Sequence, residues 1–357
     1  MGKHENRRCG ADRTGPSRYS RQVLYEHLDE AAQAALLASR VTLIGCGALG
    51  TVIANTLVRA GVGFLRLVDR DTVEWNNLQR QVLFDEKDAA AGRPKAIAAA
   101  ERLNAINSEV DIEPVVADAH SGNIETLVNQ SQLILDGTDN FETRYLINDV
   151  AIKTGTPWIY GACVGASGMM MPVLPGRTPC LRCIWDTPPP PGISPTCDTA
   201  GVLGPIVQLV AATQAMEALK ILAGRHDAVL RRLFQFDAWS GRYETFDMQR
   251  AYDEGDCLCC KRRTFEYLDG EQTSRAVSLC GREAVQVAAP QGTRLDLGAL
   301  AARLALVAKS PPKSNRYLLR FGVEGCDFTV FPDGRAIIKG VTEPDAARTL
   351  YARYVGA

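Results

Sequence analysis

Gly45-Cys46-Gly47-Ala48-Leu49-Gly50 follows directly on a β-rich run, Arg40–Ile44, and opens a helical stretch, Ala48–Ala60. No other feature constrains the fold as tightly. Glycines at such a junction let the backbone approach a phosphate closely, and the helix N-terminus offers unpaired N–H groups with partial positive charge. The next strand-like run, Phe64–Val68, ends at Asp69, where an acid can accept hydrogen bonds from ribose hydroxyls. Strand, glycines, helix, strand and acid in this order predict a nucleotide-binding βαβ unit.

Strand–helix alternation continues downstream. Pro94–Ile106 is Ala-rich with helical spacing and a proline suited to the first turn. Val110–Val116, Gln132–Asp136 and Trp158–Cys163 read as strands, the last two flanking a helix at Phe141–Lys153. The pattern predicts an α/β, Rossmann-like fold, a mostly parallel sheet with helices on both faces. Pro188–Pro191 reads as a stiff exposed connection, followed by a helix over Val202–Leu222 and strands at Leu230–Asp237 and Arg242–Phe246. Beyond Cys260 the pattern changes. Ala276–Val287, Tyr317–Val323 and Cys326–Phe331 are strand-like, Leu295–Val307 and Pro344–Tyr354 helical, and Pro332-Asp333-Gly334 a turn. The expected organisation is a flexible tail at 1–17, a main domain at 18–264 and a small α+β domain at 265–357.

Composition narrows the function. In 357 residues, 40 Lys and Arg nearly cancel 41 Asp and Glu, so no net charge draws the chain to nucleic acid or an anionic membrane. The greasiest stretch, Gly204–Gly224, is interrupted by Gln208, Gln214, Glu217 and Lys220, so no bilayer span is expected. Met1–Ser17 is polar and basic without an apolar core, unlike a signal peptide, and a cytoplasmic location is expected. Eleven cysteines in such a chain point to metal binding or sulfur chemistry.

Cys180-Leu181-Arg182-Cys183 and Cys257-Leu258-Cys259-Cys260 form two CxxC pairs. Four thiolates complete a closed tetrahedral Zn2+ shell, which argues for a structural ion. The spacing selects Cys180, Cys183, Cys257 and Cys260 as ligands. Cys197, between the prolines and a helix, is a loop thiol whose pKa a helix N-terminus would lower. Cys46 and Cys163 read as small buried apolar residues.

The glycine loop alone admits NAD or ATP. Asn77, Arg80, Gln81 and Lys95 follow within a few turns, a polar and cationic set suited to a triphosphate. Asp136 and Asp139, after the strand at Gln132–Asp136, stand where an acid can hold Mg2+ against phosphate. ATP fits this set better; a dehydrogenase would leave Arg80, Lys95 and the paired cysteines unexplained.

Arg18-Tyr19-Ser20-Arg21-Gln22, the glycine loop, Asp69-Arg70-Asp71, Asn77-Leu78-Gln79-Arg80-Gln81, Lys95 and Thr138-Asp139-Asn140 together resemble the ThiF/MoeB adenylyltransferases, bacterial relatives of ubiquitin-activating enzymes. The resemblance runs from about Arg18 to Cys260, with Asn76 where the family usually has serine. It implies that Gly45, Gly47, Ala48, Leu49 and Gly50 cradle ATP and that Asp69 binds the ribose. Asn77, Arg80, Gln81 and Lys95 would contact phosphates, Asp139 Mg2+, and Asp71, Asp136, Thr138 and Asn140 would complete the nucleotide site. Arg21 would reach the nucleotide of a neighbouring subunit, which implies a homodimer. The implied reaction is adenylylation of the C-terminal Gly-Gly carboxylate of a ubiquitin-like sulfur carrier. Sulfur would then come from a cysteine desulfurase or another persulfide donor, with Cys197 as the covalent thiol. The settings of Cys197 and of Ile159–Gly165 favour a thiamine (ThiS-like) carrier over a molybdopterin (MoaD-like) one.

Overall fold

A computed structural model describes residues 17–188, 200–270, 276–279, 284–287, 293–305 and 307–356. The expected tail, most of the proline run and Cys197 lie outside the described residues. Strands β1 (Arg40–Ile44), β2 (Phe64–Val68), β3 (Asp111–Val115), β4 (Leu133–Asp136), β5 (Trp158–Val164), β6 (Ser167–Val173), β7 (Leu233–Asp237) and β8 (Arg242–Phe246) form one sheet in the order β3-β2-β1-β4-β5-β6-β7-β8. Pairings from β3 to β5 are parallel, and those from β5 to β8 antiparallel.

The helices of this domain are α1 (Glu30–Leu37), α2 (Ala48–Ala60), α3 (Glu86–Ala91), α4 (Lys95–Ile106), α5 (Ile124–Val128), α6 (Phe141–Thr154), α7 (Leu181–Ile184), α8 (Gly204–Leu222) and α9 (Gln249–Asp253). Successive side chains in a strand point to opposite faces. Val41 and Leu43 of β1, Leu133 and Leu135 of β4 and Ile159 of β5 therefore pack under α2, α4 and α8. Ile44, Ile134, Trp158 and Tyr160 face the other way, toward α5, α6, Cys180, Leu181, Phe265, Tyr267 and Leu268. Burial on both faces is why these strands read as continuous apolar runs without alternation. No described helix is long and apolar enough to cross a membrane.

The C-terminal module is an antiparallel sheet in the order β11-β12-β13-β14-β10-β9, built from β9 (Ala276–Leu279), β10 (Ala284–Val287), β11 (Lys313–Ser314), β12 (Leu319–Val323), β13 (Cys326–Val330) and β14 (Ala336–Lys339). Helices α10 (Leu297–Leu304) and α11 (Pro344–Tyr354) supply Leu297, Leu300, Leu304, Ala347 and Tyr351 to its separate core. The small α+β character expected from sequence is present.

Several elements depart from the sequence reading. α1 begins at Glu30, with Asp29 accepting a hydrogen bond from the Ala32 N–H at 2.8 Å. β6 reads Ser-Gly-Met-Met-Met-Pro-Val, where methionines and a proline mask a strand that pairs with β5. The run Ala276–Val287 holds two antiparallel strands instead of one, and β14 completes the hairpin after the Pro332 turn.

Trp158 is fully buried, and its indole N–H has no hydrogen-bond partner among the described residues. Trp158→Ala is expected to lower stability by about 3–5 kcal/mol, and Trp158→Phe by less than half of that, because only packing is lost. Denaturant unfolding of both variants measures the difference.

Candidate nucleotide and metal sites

From β1 the chain crosses to β2 and β3 on one side and then to β4 and β5 on the other. The crevice outside the carboxyl ends of β1 and β4 is therefore a topological switch point, where sheets of this kind bind ligands. Two loops meet there. Gly45 has φ +91°, and a Cβ on it would lie 2.5 Å from the Gly137 carbonyl oxygen. A Cβ on Gly50 or on Gly137 would collide with the Gly45 carbonyl. Backbone thus lies on backbone, with no room for side chains. Gly47 differs: the nearest atom to a Cβ there is Gln81 Nε2, at 3.9 Å. Its missing side chain leaves a space the protein does not fill.

Asp69 is held from two directions. Its Oδ2 accepts from the Cys46 N–H at 2.7 Å, and its Oδ1 from the Asp71 N–H at 2.7 Å. Burial pushes its carboxyl pKa up, with Lys95 opposing. Lys95, the first residue of α4, is buried, and its Nζ lies 3.2 Å from Asp71 Oδ2. Pro94 precedes the helix instead of opening it.

The cationic and amide residues have separate local partners. A single turn, Trp75–Asn77, carries Asn77, whose Oδ1 accepts from the Glu74 N–H at 3.0 Å. Half-buried Arg80 donates from Nη1 to the Asn76 carbonyl at 2.7 Å. Gln81 is buried beside Gly47, and its Oε1 lacks a partner among the described residues. Beside the space over Gly47 the Gln81 amide presents Nε2, a donor of the kind that phosphate oxygens accept from.

After β4 the two acids separate. Asp136 is fully buried: Oδ1 accepts from the Thr138 N–H and hydroxyl at 2.9 and 2.7 Å, and Oδ2 from Arg144 Nε at 3.2 Å. Arg144 also donates to the Thr138 carbonyl at 2.8 Å, so this pair orders the loop from below. Asp139 is exposed at the loop tip, and Asn140 caps α6 by accepting from the Thr143 N–H at 2.8 Å. Sequence reasoning missed Arg144; the signal was an arginine one turn into the helix that follows a buried acid. Arg21 stands apart from these residues. Its neighbours Tyr19 and Gln22 pack on Gly61 and on the Ala60 carbonyl, at the end of α2 remote from the glycine loop. Thirteen helical residues separate those ends by about 20 Å.

The Sγ atoms of Cys180, Cys183, Cys257 and Cys260 all lie within 4.8 Å of one another, with separations of 3.6 Å (Cys180–Cys257), 3.8 Å (Cys180–Cys183) and 3.3 Å (Cys183–Cys260). Tetrahedral zinc with Zn–S bonds near 2.3 Å requires edges of about 3.8 Å, so the four residues fit that ion. Hydrogen bonds from Cys183 first, then from Cys257, Cys259 and Cys260, hold the Cys180 thiol far below its ordinary range. Cys259 borders Cys180 but is not one of the four mutually close sulfurs; its Sγ accepts from Asn148 Nδ2 at 3.2 Å. The same amide's Oδ1 accepts from the Leu181 N–H at 2.9 Å, so Asn148 ties both cysteine loops to α6. Nothing in its sequence context marked Asn148 for that task.

Comparisons with known proteins give a family and relatives for the chain. The profile of the ThiF family matches residues 19–259. A sulfur carrier protein ThiS adenylyltransferase of Bacillus subtilis is 42% identical over 341 residues, covering 95% of this chain and 99% of the relative. A sulfur carrier protein adenylyltransferase of Thermus thermophilus is 37% identical, over 65% of this chain and 87% of its own. Among solved structures, E. coli MccB with ATP shares the fold at a TM-score of 0.59, with 22% identity over 69% of this chain and 75% of that one.

The two adjacent cysteines separate ligand from neighbour. Cys260→Ala is expected to abolish stoichiometric zinc in the purified protein and lower its melting temperature, whereas Cys259→Ala keeps one zinc per chain. Elemental analysis and thermal melts in parallel report both quantities.

Proposed function

The chain belongs to the ThiF family, and on that premise we propose that it adenylylates the C-terminal Gly-Gly carboxylate of a ubiquitin-like, ThiS-type sulfur carrier. One observation supports the reading: a crevice walled by Gly45, Gly50 and Gly137 has Asp69 held by the Cys46 N–H at its edge, in a chain 42% identical, over nearly its whole length, to a ThiS adenylyltransferase.

In this reading ATP lies with its phosphates over the space at Gly47 and its ribose on Asp69. Asn77, Arg80, Gln81 and Lys95 line the phosphate side. Bound Mg2+, for which exposed Asp139 is the available carboxylate, supplies charge neutralisation at the phosphates. Asp136, enclosed by Thr138 and Arg144, acts indirectly by shaping the loop. The carrier's terminal carboxylate attacks the α-phosphorus, giving an acyl-adenylate and pyrophosphate. A carboxylate is already a nucleophile, so no general base is needed. The chain's contribution is positioning and electrostatic stabilisation by Arg80 and Lys95. A glycine tail suits a narrow approach that admits no side chains.

Arg21, exposed and about 20 Å along α2 from the glycine loop, lies out of reach of its own pocket. That placement supports a homodimer in which each Arg21 serves the partner subunit's nucleotide. The terminal sulfur of a persulfide donor such as a cysteine desulfurase then attacks the acyl carbon and displaces AMP, giving an acyl disulfide. The Cys197 thiolate is the candidate to take over the acyl-bearing sulfur by disulfide exchange, which releases the donor's thiol. Gly201, a few residues on, accepts from the Gly165 N–H at 2.7 Å, at the crevice end of β5. All of this chemistry belongs to the cytoplasm, where thiols stay reduced. A MoaD-type carrier is the second reading; it rests on relatives such as the Danio rerio adenylyltransferase and sulfurtransferase MOCS3, 35% identical over 68% of this chain.

Arg80→Ala and Asp139→Ala are each expected to reduce carrier-dependent ATP–pyrophosphate exchange by at least about 100-fold while the melting temperature is retained. Exchange measured with purified ThiS-type and MoaD-type carriers in turn tests both the site and the choice of carrier. Near wild-type exchange in either variant would remove the site assignment.

A further inference from the structure

The C-terminal module lies beyond the residues that match the family profile, yet it grips the loop that carries Asp69. Four of its side chains reach that region. Arg335 Nη2 donates to the Arg70 carbonyl at 3.2 Å, and Arg320 Nη2 to Thr72 Oγ1. Lys339 Nζ lies 2.8 Å from Glu74 Oε1, and Gln286 Nε2 donates to Asp118. Asp118 in turn pairs with Arg70 at 3.0 Å.

Arg335 is the unusual member. Only 4% of it is exposed, and its Nε and Nη1 have no hydrogen-bond partner among the described residues. Its guanidinium stacks over the Phe331 ring at 3.7 Å, with Asp333 as its ion-pair partner at 3.7 Å. Burying a cation with two bare N–H groups is unfavourable unless the remaining contact achieves something. That contact is made to the peptide unit joining Arg70 to Asp71. The unit is planar and trans, so its carbonyl and its N–H point in opposite directions and cannot be oriented independently. The carbonyl accepts from Arg335; the N–H of the same plane donates to Asp69 Oδ1 at 2.7 Å.

We propose that Arg335 is a positioning residue for the nucleotide: by pinning the Arg70–Asp71 peptide it sets the rotamer of the Asp69 carboxylate, so the C-terminal module governs ATP affinity. Lys339 works beside it. Glu74, its partner, begins the turn that carries Asn77, and the Glu74 N–H donates to Asn77 Oδ1. The module therefore braces both the ribose acid and one of the phosphate-side amides. This rests on the ATP reading of the crevice and adds a determinant that no motif of the glycine-loop domain contains.

The test uses the full-length protein and two readouts: equilibrium binding of a non-hydrolysable ATP analogue, and carrier-dependent pyrophosphate exchange. Arg335→Ala is expected to weaken analogue binding and raise the KM for ATP roughly tenfold, with kcat and the KM for carrier within about twofold of wild type. Arg335→Lys, which keeps a donor, recovers part of the loss. Lys339→Glu weakens the analogue roughly threefold, and Glu74→Lys in the same chain restores it, as for a half-exposed ion pair. Wild-type analogue affinity in Arg335→Ala overturns the proposal, as does a parallel loss of kcat and of both KM values. Should Arg335→Ala not fold, the Lys339→Glu and Glu74→Lys pair decides: unchanged affinity in the single variant overturns it. Failure of the wild-type protein itself to bind the analogue overturns the nucleotide reading instead, and this inference with it.

Discussion

The contact on which the site depends is backbone against backbone at the mouth of the sheet. Gly45, Gly50 and Gly137 approach so closely that a Cβ on any of them would strike the carbonyl of another. This draws the loops after β1 and β4 together over the switch point and leaves the N–H groups at the start of α2 unobstructed. The Cys46 N–H, delivered by the same turn, reaches Asp69. Glycine is required here by space, and at Gly45 also by its positive φ.

Around that contact the charges divide by burial. Asp136 and Arg144, both shielded from water, neutralise each other and fix the loop. Asp139 and Arg80, nearer the surface, keep the exposure that a charged ligand needs. A buried pair of this kind contributes little net stability, since desolvation offsets its attraction, but it does specify geometry. The arrangement keeps two carboxylates of one short loop from competing for one task.

Much of this was legible in the chain. β1, β4 and β5 were readable because they are buried on both faces and mostly apolar, and β2 because four apolar residues flank a single half-buried Arg66. The glycine loop and the CxxC pairs were readable because their chemistry depends on spacing. β6 was hidden because Met170, Met171 and Pro172 carry no strand signature of their own; its conformation comes from pairing with β5. Arg144, Asn148 and Arg335 were hidden for a different reason. Each acts on a group far away in sequence or through a backbone atom, and a carbonyl acceptor leaves no trace in a motif. The separate duties of Asp136 and Asp139 likewise depend on depth, which three residues of sequence cannot convey.

One helix spans both sites. α6 starts at the Asn140 cap beside Asp139 and, two turns on, holds the cysteine loops through Asn148. The eight residues from Asn140 to Asn148 span about 12 Å, so a tilt of about 5° at the thiolate end displaces the other end by about 1 Å. Errors of that size are enough to spoil a reacting geometry. A disturbance of the cysteine loops is thus carried to the Asn140 end, with the helix as its lever.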